Sequence, residues 1–170
     1  DPSISEAELS TGQAEGFERA TEAFLADCLE QGQGCPFKGS EEEAKQQLIS
    51  FFAAVDAQPL DSGDPQRPLT GALARSAVLA VLYEDGLWEL GRQALTDAMN
   101  GDGAQLLYVA DLSAERNADG SYSTNAAYAI TAVNCLDHPG IDDEQWLEQE
   151  ADRLAEEFPT FGPMLGGDGC

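Results

Sequence analysis

The stretch Thr70-Gly-Ala-Leu-Ala-Arg-Ser-Ala-Val-Leu-Ala-Val-Leu-Tyr83 governs the fold of this chain. Thr70 is a suitable helix N-cap, and the residues that follow it predict a helix from Gly71 to Tyr83. Apolar residues are distributed almost all the way around this helix, so no face of it is suited to water. The sequence therefore predicts a central, buried helix that other elements surround.

Helical periodicity continues on the amino-terminal side of that stretch. Apolar residues recur at three- and four-residue intervals over residues 10–30, and Gly32 ends the pattern. Ser40 and Glu43 form a capping box that begins a second helix. This helix ends before Pro59, because the residue that precedes a proline avoids the α region.

The carboxyl-terminal half shows the same pattern in shorter segments. The further predicted helices cover residues 87–99, 106–112, 126–133 and 142–158. The segment 126–133 could also be a buried extended chain, and residues 159–170 are predicted to form an irregular tail. With no convincing period-2 alternation, the sequence predicts one all-α domain, residues 1–170, of six or seven helices.

The charge of the chain narrows its possible partners. It has 32 acidic and 8 basic residues, and its net charge is −24 at pH 7. Such a surface repels nucleic acid and anionic lipid and attracts cations, including the free amino terminus of a peptide. No apolar run is long enough to span a membrane. The sequence therefore predicts no nucleic-acid partner and no membrane partner.

The four cysteines predict two disulfides. Cys28 and Cys35 flank a short glycine-containing loop that can bend back on itself, which leaves Cys135 and Cys170 to pair with each other. Two such bridges indicate an oxidising compartment. A zinc site is the rival interpretation, but no two cysteines have the close spacing that zinc sites use.

Residues for catalysis are not evident in the sequence. The chain contains no G-x-S-x-G motif, which a serine hydrolase built on an α/β sheet needs for its nucleophile. His138 is the sole histidine, and it lies in a loop-forming segment. Acidic pairs are too frequent to single out a pair for acid–base chemistry. We therefore predict no catalytic residue, metal or cofactor.

Residues 115–126 match a calcium-binding loop in part. Asp119, Gly120 and Ser121 occupy positions five, six and seven of such a loop. Ala126 occupies the twelfth position, where a bidentate glutamate is required. This mismatch favours an ordinary Asx turn.

Six blocks of sequence lie between residues 51 and 137. They are Phe51-Phe-Ala-Ala-Val-Asp-Ala-Gln-Pro-Leu60, Arg67-Pro-Leu-Thr-Gly-Ala-Leu-Ala-Arg75 with the following Ser-Ala-Val-Leu-Ala-Val-Leu-Tyr83, Gly86-Leu-Trp88, Gly101-Asp-Gly103, Asp119-Gly-Ser-Tyr-Ser123 and Ala132-Val-Asn-Cys-Leu-Asp137. In content and in order these blocks resemble the actinobacterial tripeptidyl aminopeptidases, which are secreted α/β-hydrolases and serine peptidases related to prolyl aminopeptidases. The resemblance is good over residues 51–139 and looser over the first helix.

The matching blocks resemble the helical lid of that family, which covers the active site. The resemblance implies that the chain is a lid domain excised from a larger secreted hydrolase, whose catalytic residues lie outside residues 1–170. Its partners would be the α/β-hydrolase core of the parent chain and a peptide substrate with a free amino terminus. Asp27 stands where the family often carries an aromatic residue, so the substrate class can differ.

An exopeptidase distinguishes an α-ammonium group from an internal amide, and a partly desolvated carboxylate does this well. Within the matching blocks and beside them, the substrate-binding candidates are Glu84, Asp119 and Asp137, with Tyr122 as an aromatic wall. A different class of function is also open. The chain could be a free-standing, secreted helical module that presents its acidic surface to a basic partner.

Overall fold

The described part of the chain is entirely helical apart from turns and three isolated bridges. A computed structural model describes residues 6–137, 141 and 143–166, with side chains from residue 8 onwards. The helices are α1 (Glu6–Gln31), α2 (Glu41–Ala57), α3 (Gly71–Leu82), α4 (Trp88–Met99), α5 (Ala104–Ser113), α6 (Ala126–Asp137), α7 (Glu144–Glu157) and α8 (Gly162–Leu165). The prediction of an all-α fold is confirmed, with eight helices described instead of six or seven.

The predicted helix boundaries agree with local capping interactions. The Ser40 amide donates to Glu43 Oε2 at 2.7 Å, and the Glu43 amide donates to Ser40 Oγ at 3.3 Å, so the capping box that begins α2 is confirmed. Thr70 caps α3 through the Leu73 amide at 3.4 Å. The segment at 126–133 is helical, and α6 extends beyond it to Asp137.

The chain forms two compact units. One unit comprises residues 20–123, and the other comprises residues 1–19 and 124–170, of which only the described residues are considered below. Helix α1 contributes to both units because the boundary falls within it. Each unit has buried apolar side chains of its own.

Helix α3 lies at the centre of the unit 20–123. Its neighbours are α2, α4 and α5, and Ala77, Val78 and Val81 are at most 1 % exposed. Gly91 lets α4 approach closely, since a Cβ atom at this position would lie 2.5 Å from Val81 Cγ1. The predicted central role of this helix is confirmed.

An ion pair connects α2 to α3. The Arg75 guanidinium donates to both carboxylate oxygens of Asp56, at 2.9 and 2.6 Å, and lies 4.9 Å from the centre of the Phe52 ring. Donation from Arg75 lowers the pKa of the Asp56 carboxyl below its usual value. The pair adds a polar contact at the edge of the buried helix.

The second unit has a small core between α1, α7 and α8. Leu154 and Phe161 are at most 1 % exposed, and the Phe161 ring meets the Phe17 ring edge-on at 6.0 Å. Arg153 on α7 donates to Thr11 Oγ1 at 2.7 Å. The sequence predicts an irregular chain from residue 159 onwards, but its described part includes the short helix α8. Burial of Phe161 stabilises this segment.

The Cys28–Cys35 disulfide is present and closes the turn after α1. Both cysteines are at most 6 % exposed, so the bridge lies inside the unit 20–123. The second predicted bridge, Cys135–Cys170, ends on a residue outside the described part of the chain. His138 also lies outside it.

Replacing Cys28 and Cys35 together by alanine should lower the free energy of unfolding by about 2–3 kcal/mol. The bridge closes a short loop and removes chain entropy from the unfolded state. Urea denaturation monitored by circular dichroism measures this loss. Gln31→Ala, an exposed change in the same turn, is the control and should change stability by less than about 0.5 kcal/mol. Equal effects of the two variants would contradict a stabilising bridge.

Asp56→Asn should lower the free energy of unfolding at pH 7 by roughly 0.5–1 kcal/mol, the range of partly exposed ion pairs. A carboxyl whose pKa is lowered by folding stabilises above its unfolded pKa and loses this effect as pH falls through the folded pKa. The difference in the free energy of unfolding between Asp56→Asn and the parent should therefore become smaller below about pH 4. Urea denaturation at a series of pH values measures this difference.

Glu15→Gln is the control for this series. The Glu15–Arg19 ion pair is 3.8 Å long with both side chains more than half exposed, so its loss should have little effect at any pH. If the free energy of unfolding of Asp56→Asn differed from that of the parent by the same amount at every pH, the ionised carboxylate would not be the source of the stability.

Candidate functional site

Helix α6 carries an apolar face that is exposed in the described structure. Ala129, Ala132, Val133 and Leu136 follow the i, i+3, i+4, i+7 spacing of a core-facing helix, and we call these four residues the α6 stripe. All four are exposed, Val133 at 54 % and Leu136 at 84 %. No residue of α6 is buried. The stripe is therefore as apolar as a core-facing helix surface but is exposed to solvent.

Two larger apolar side chains lie beside the α6 stripe. Tyr128 is 75 % exposed and Ile130 is 61 % exposed. Full burial of a single large apolar side chain contributes about 1.5–3 kcal/mol of stability. Several exposed side chains of this kind therefore lack a substantial stabilising contribution. Adjacent exposed apolar residues of this kind mark interaction surfaces.

The four predicted substrate-binding residues lie on three separate segments. Glu84 precedes a short 3₁₀ turn between α3 and α4, Asp119 and Tyr122 share the turn after α5, and Asp137 is the last residue of α6. All four are exposed. The structure thus brings Asp119 and Tyr122 into one turn.

Asp119 has a structural role within its turn. Its Oδ1 accepts hydrogen bonds from the Ser121 amide at 2.9 Å and the Ser121 hydroxyl at 2.6 Å. These bonds hold the pKa of the Asp119 carboxyl below its usual range. Asn117 completes the turn by donating to Ser121 Oγ at 3.0 Å. The interpretation of this segment as an Asx turn is confirmed.

Tyr122 is positioned by the same segment, which is attached to α5. An isolated bridge pairs Arg116 with Tyr122, and Arg116 lies 3.7 Å from the Asp111 carboxylate of α5. Arg67 forms a bidentate ion pair with Asp111, and these hydrogen bonds raise the pKa of the Arg67 guanidinium. Tyr122 remains 53 % exposed. It therefore stands on an anchored turn with its ring open to contact.

An acidic pocket that no sequence pattern indicated lies between α1 and α4. It has a volume of about 370 Å³ and is lined by Asp27, Asp85, Gly86, Trp88, Glu89 and Arg92. Arg92 forms an ion pair with Asp27, which leaves the lining with an excess of negative charge. A concave negative surface favours cations. Five lining residues lie within residues 85–92, but Asp27 lies 65 residues before Arg92, so sequence spacing offered no signal that they meet.

Metal-binding and membrane-spanning features are absent from the described residues. Among the residues that the structure describes, no group of three or more His, Cys, Asp and Glu side chains is arranged to hold a metal ion. None of the described helices is both long and apolar enough to cross a membrane.

Comparison with known proteins identifies relatives along nearly the whole chain. The serine protease Hip1 of Mycobacterium tuberculosis is 30 % identical over 176 aligned residues, which cover 98 % of this chain and 33 % of Hip1. Carboxylesterase B of the same organism is 32 % identical over 172 aligned residues, which cover 98 % of this chain and 32 % of the esterase. No family model matches the chain.

The chain spans about a third of the length of the curated relatives it matches. Their names describe a protease and an esterase, so the predicted aminopeptidase specificity stays a prediction. The two relatives share one segment with this chain. In this chain the segment is helical, and in each relative it is part of a larger hydrolase. The chain is a distant homologue of that one-third segment of mycobacterial hydrolases.

Proposed function

We propose that this chain acts as the lid of a secreted serine hydrolase, covers the active site of a separate hydrolase body and selects its substrates. The observation that carries the proposal is the match of 98 % of the chain to one third of two hydrolases. A segment whose described regular elements are helices, and whose sequence offers no nucleophile motif, suits substrate selection better than bond breaking. In this role the lid excludes water from the reacting groups.

The uncovered apolar face of α6 supports a lid that works against another protein body. A free-standing module would gain nothing from exposing Val133 and Leu136 to water. A lid segment would cover such a face where it meets the hydrolase body. The disulfide Cys28–Cys35 supports a secreted protein, because such bridges persist in oxidising compartments.

The proposed substrates are peptides with a free amino terminus. The net charge of −24 attracts cationic groups, and a carboxylate near the active site would bind the α-ammonium. Asp137, Glu84 and Asp119 are the proposed carboxylates, with Tyr122 as the adjoining aromatic side chain. Asp119 is the least available of them, since Ser121 already donates two hydrogen bonds to it.

A chimera tests the lid function. Residues 1–170 of this chain replace the matching third of M. tuberculosis Hip1, and a second Hip1 variant carries a Gly/Ser linker there. A fluorophosphonate probe reports the active serine, and a panel of peptide anilides reports selectivity. The chimera should label with the probe and differ from Hip1 in relative kcat/KM across the panel by about tenfold or more, which corresponds to roughly 1.4 kcal/mol.

The isolated 170-residue chain serves as the control and should not label. Labelling of the isolated chain would show a nucleophile of its own and contradict the proposal. A chimera that labels but keeps the selectivity of the linker variant would show that the segment does not select substrates. Binding of a basic protein by the isolated chain, with an inactive chimera, would favour the free-standing acidic module.

Asp137→Asn in the chimera should reduce the preference for a free amino terminus. The measurement compares kcat/KM for a peptide anilide with kcat/KM for its N-acetylated form. A charge-assisted hydrogen bond contributes about 1.5–3 kcal/mol, so the ratio should fall roughly 10- to 100-fold. Glu84→Gln is tested in the same way, and Asp119→Asn should have a smaller effect.

Asp152→Asn is the matched control, because Asp152 is an exposed carboxylate of α7 outside the proposed set. It should leave the ratio unchanged. If Asp152→Asn and Asp137→Asn lower the ratio equally, the overall negative charge attracts the substrate and no individual carboxylate recognises it.

A further inference from the structure

We infer that the α6 stripe is the surface by which this chain docks onto the catalytic body of the hydrolase, and that Tyr128 and Ile130 flank the contact. This docking surface rests on the proposed lid function and specifies the helix that contacts the hydrolase body. It consists of the apolar side of α6, whose residues are exposed in the described structure.

The arrangement of α6 is that of a helix with one face suited to burial. The four stripe residues cover one side of the helix, while Thr131 and Asn134 lie on another. Within the stripe the side chains increase in size from Ala129 and Ala132 to Val133 and Leu136. Small residues next to larger ones let a helix approach a partner surface closely and insert its larger side chains.

The core of the same unit is built without α6. Leu154, Phe161 and the edge-on pair of Phe17 and Phe161 form this core from α1, α7 and the residues before α8. Helix α6 has no buried residue, although it is about as apolar as the buried α3. Among the described residues of this unit, the core therefore does not include the α6 stripe, which we assign to a partner.

The relatives indicate what the partner is. In Hip1 and carboxylesterase B about two thirds of the protein lies outside the segment that matches this chain. The matching segment must meet the rest of the hydrolase somewhere, and an apolar face is the surface that gains most from the contact.

A second copy of this chain suits the α6 stripe less well. Each copy carries a net charge of −24, so two copies that approach each other repel strongly. The stripe itself contains no charged residue that could offset this repulsion. A different protein body is not subject to that constraint, and we assign the stripe to the hydrolase body.

Hydroxyl-radical footprinting with mass spectrometry tests the docking surface in the active Hip1 chimera and in the isolated chain. Tyr108 and Leu112 on α5 are matched references, 60 and 58 % exposed, for Tyr128 and Leu136 on α6. Modification of Tyr128 and Leu136 should fall by about fivefold or more on going from the isolated chain to the chimera, because burial removes solvent contact. Modification of Tyr108 and Leu112 should change by less than about twofold.

Substitutions give a second measurement. Leu136→Glu should leave the melting temperature of the isolated chain unchanged, since the side chain is 84 % exposed there. In the chimera the same change should lower activity about tenfold or more by placing a charge in an apolar contact. Asn134→Glu adds the same charge to the other side of α6. It should leave the melting temperature of the isolated chain and the activity of the chimera unchanged.

Three outcomes would overturn the docking surface, and a fourth would contradict the lid function. Persistent modification of Tyr128 and Leu136 in an active chimera would exclude α6 from the contact while leaving the lid function intact. Equal protection of the α5 and α6 pairs would show that the stripe is not a distinct surface. A dimer of the isolated chain that Leu136→Glu dissociates would make the occupant a second copy. An unlabelled parent chimera would instead contradict the lid function itself.

Discussion

The burial of α3 organises the larger unit. A helix that is apolar on nearly all sides can exclude water only if neighbours surround it, and α2, α4 and α5 do so here. The absence of a side chain at Gly91 permits the close approach of α4 to Val81. The Arg75–Asp56 ion pair connects α2 to the same helix, and the Arg75 guanidinium also lies over the buried Phe52 ring. Packing around one helix thus sets the positions of three others.

Helices α3 and α6 show that composition and burial are separate properties. Both have helical runs of apolar residues, yet α3 contributes five buried residues and α6 contributes none. The hydrophobic effect alone would bury both. The difference becomes intelligible if α6 belongs to an interface whose other side lies in a hydrolase body. In the proposed lid function, this surface would contact the hydrolase body that carries the chemistry.

The candidate binding residues differ in how firmly the structure holds them. Asp119 and Tyr122 stand on a turn that Ser121 and Asn117 stabilise through hydrogen bonds and that Arg116 ties to α5. Asp137 ends the exposed helix α6, and its position relative to a substrate would follow the docking of that helix. Selection of substrates and attachment of the lid are therefore coupled through α6 in the proposed mechanism.

Local chemistry was enough to predict the helical class, the capping box at Ser40, the end of α2 before Pro59 and the Cys28–Cys35 bridge from the sequence. Each of these features depends on residues a few positions apart. Folding in three dimensions was needed to show that the α6 stripe stays uncovered and that Asp27 meets Arg92 in an acidic pocket. Burial and pocket formation join residues distant in sequence, and the periodicity of one helix carries no information on which neighbour, if any, will cover it.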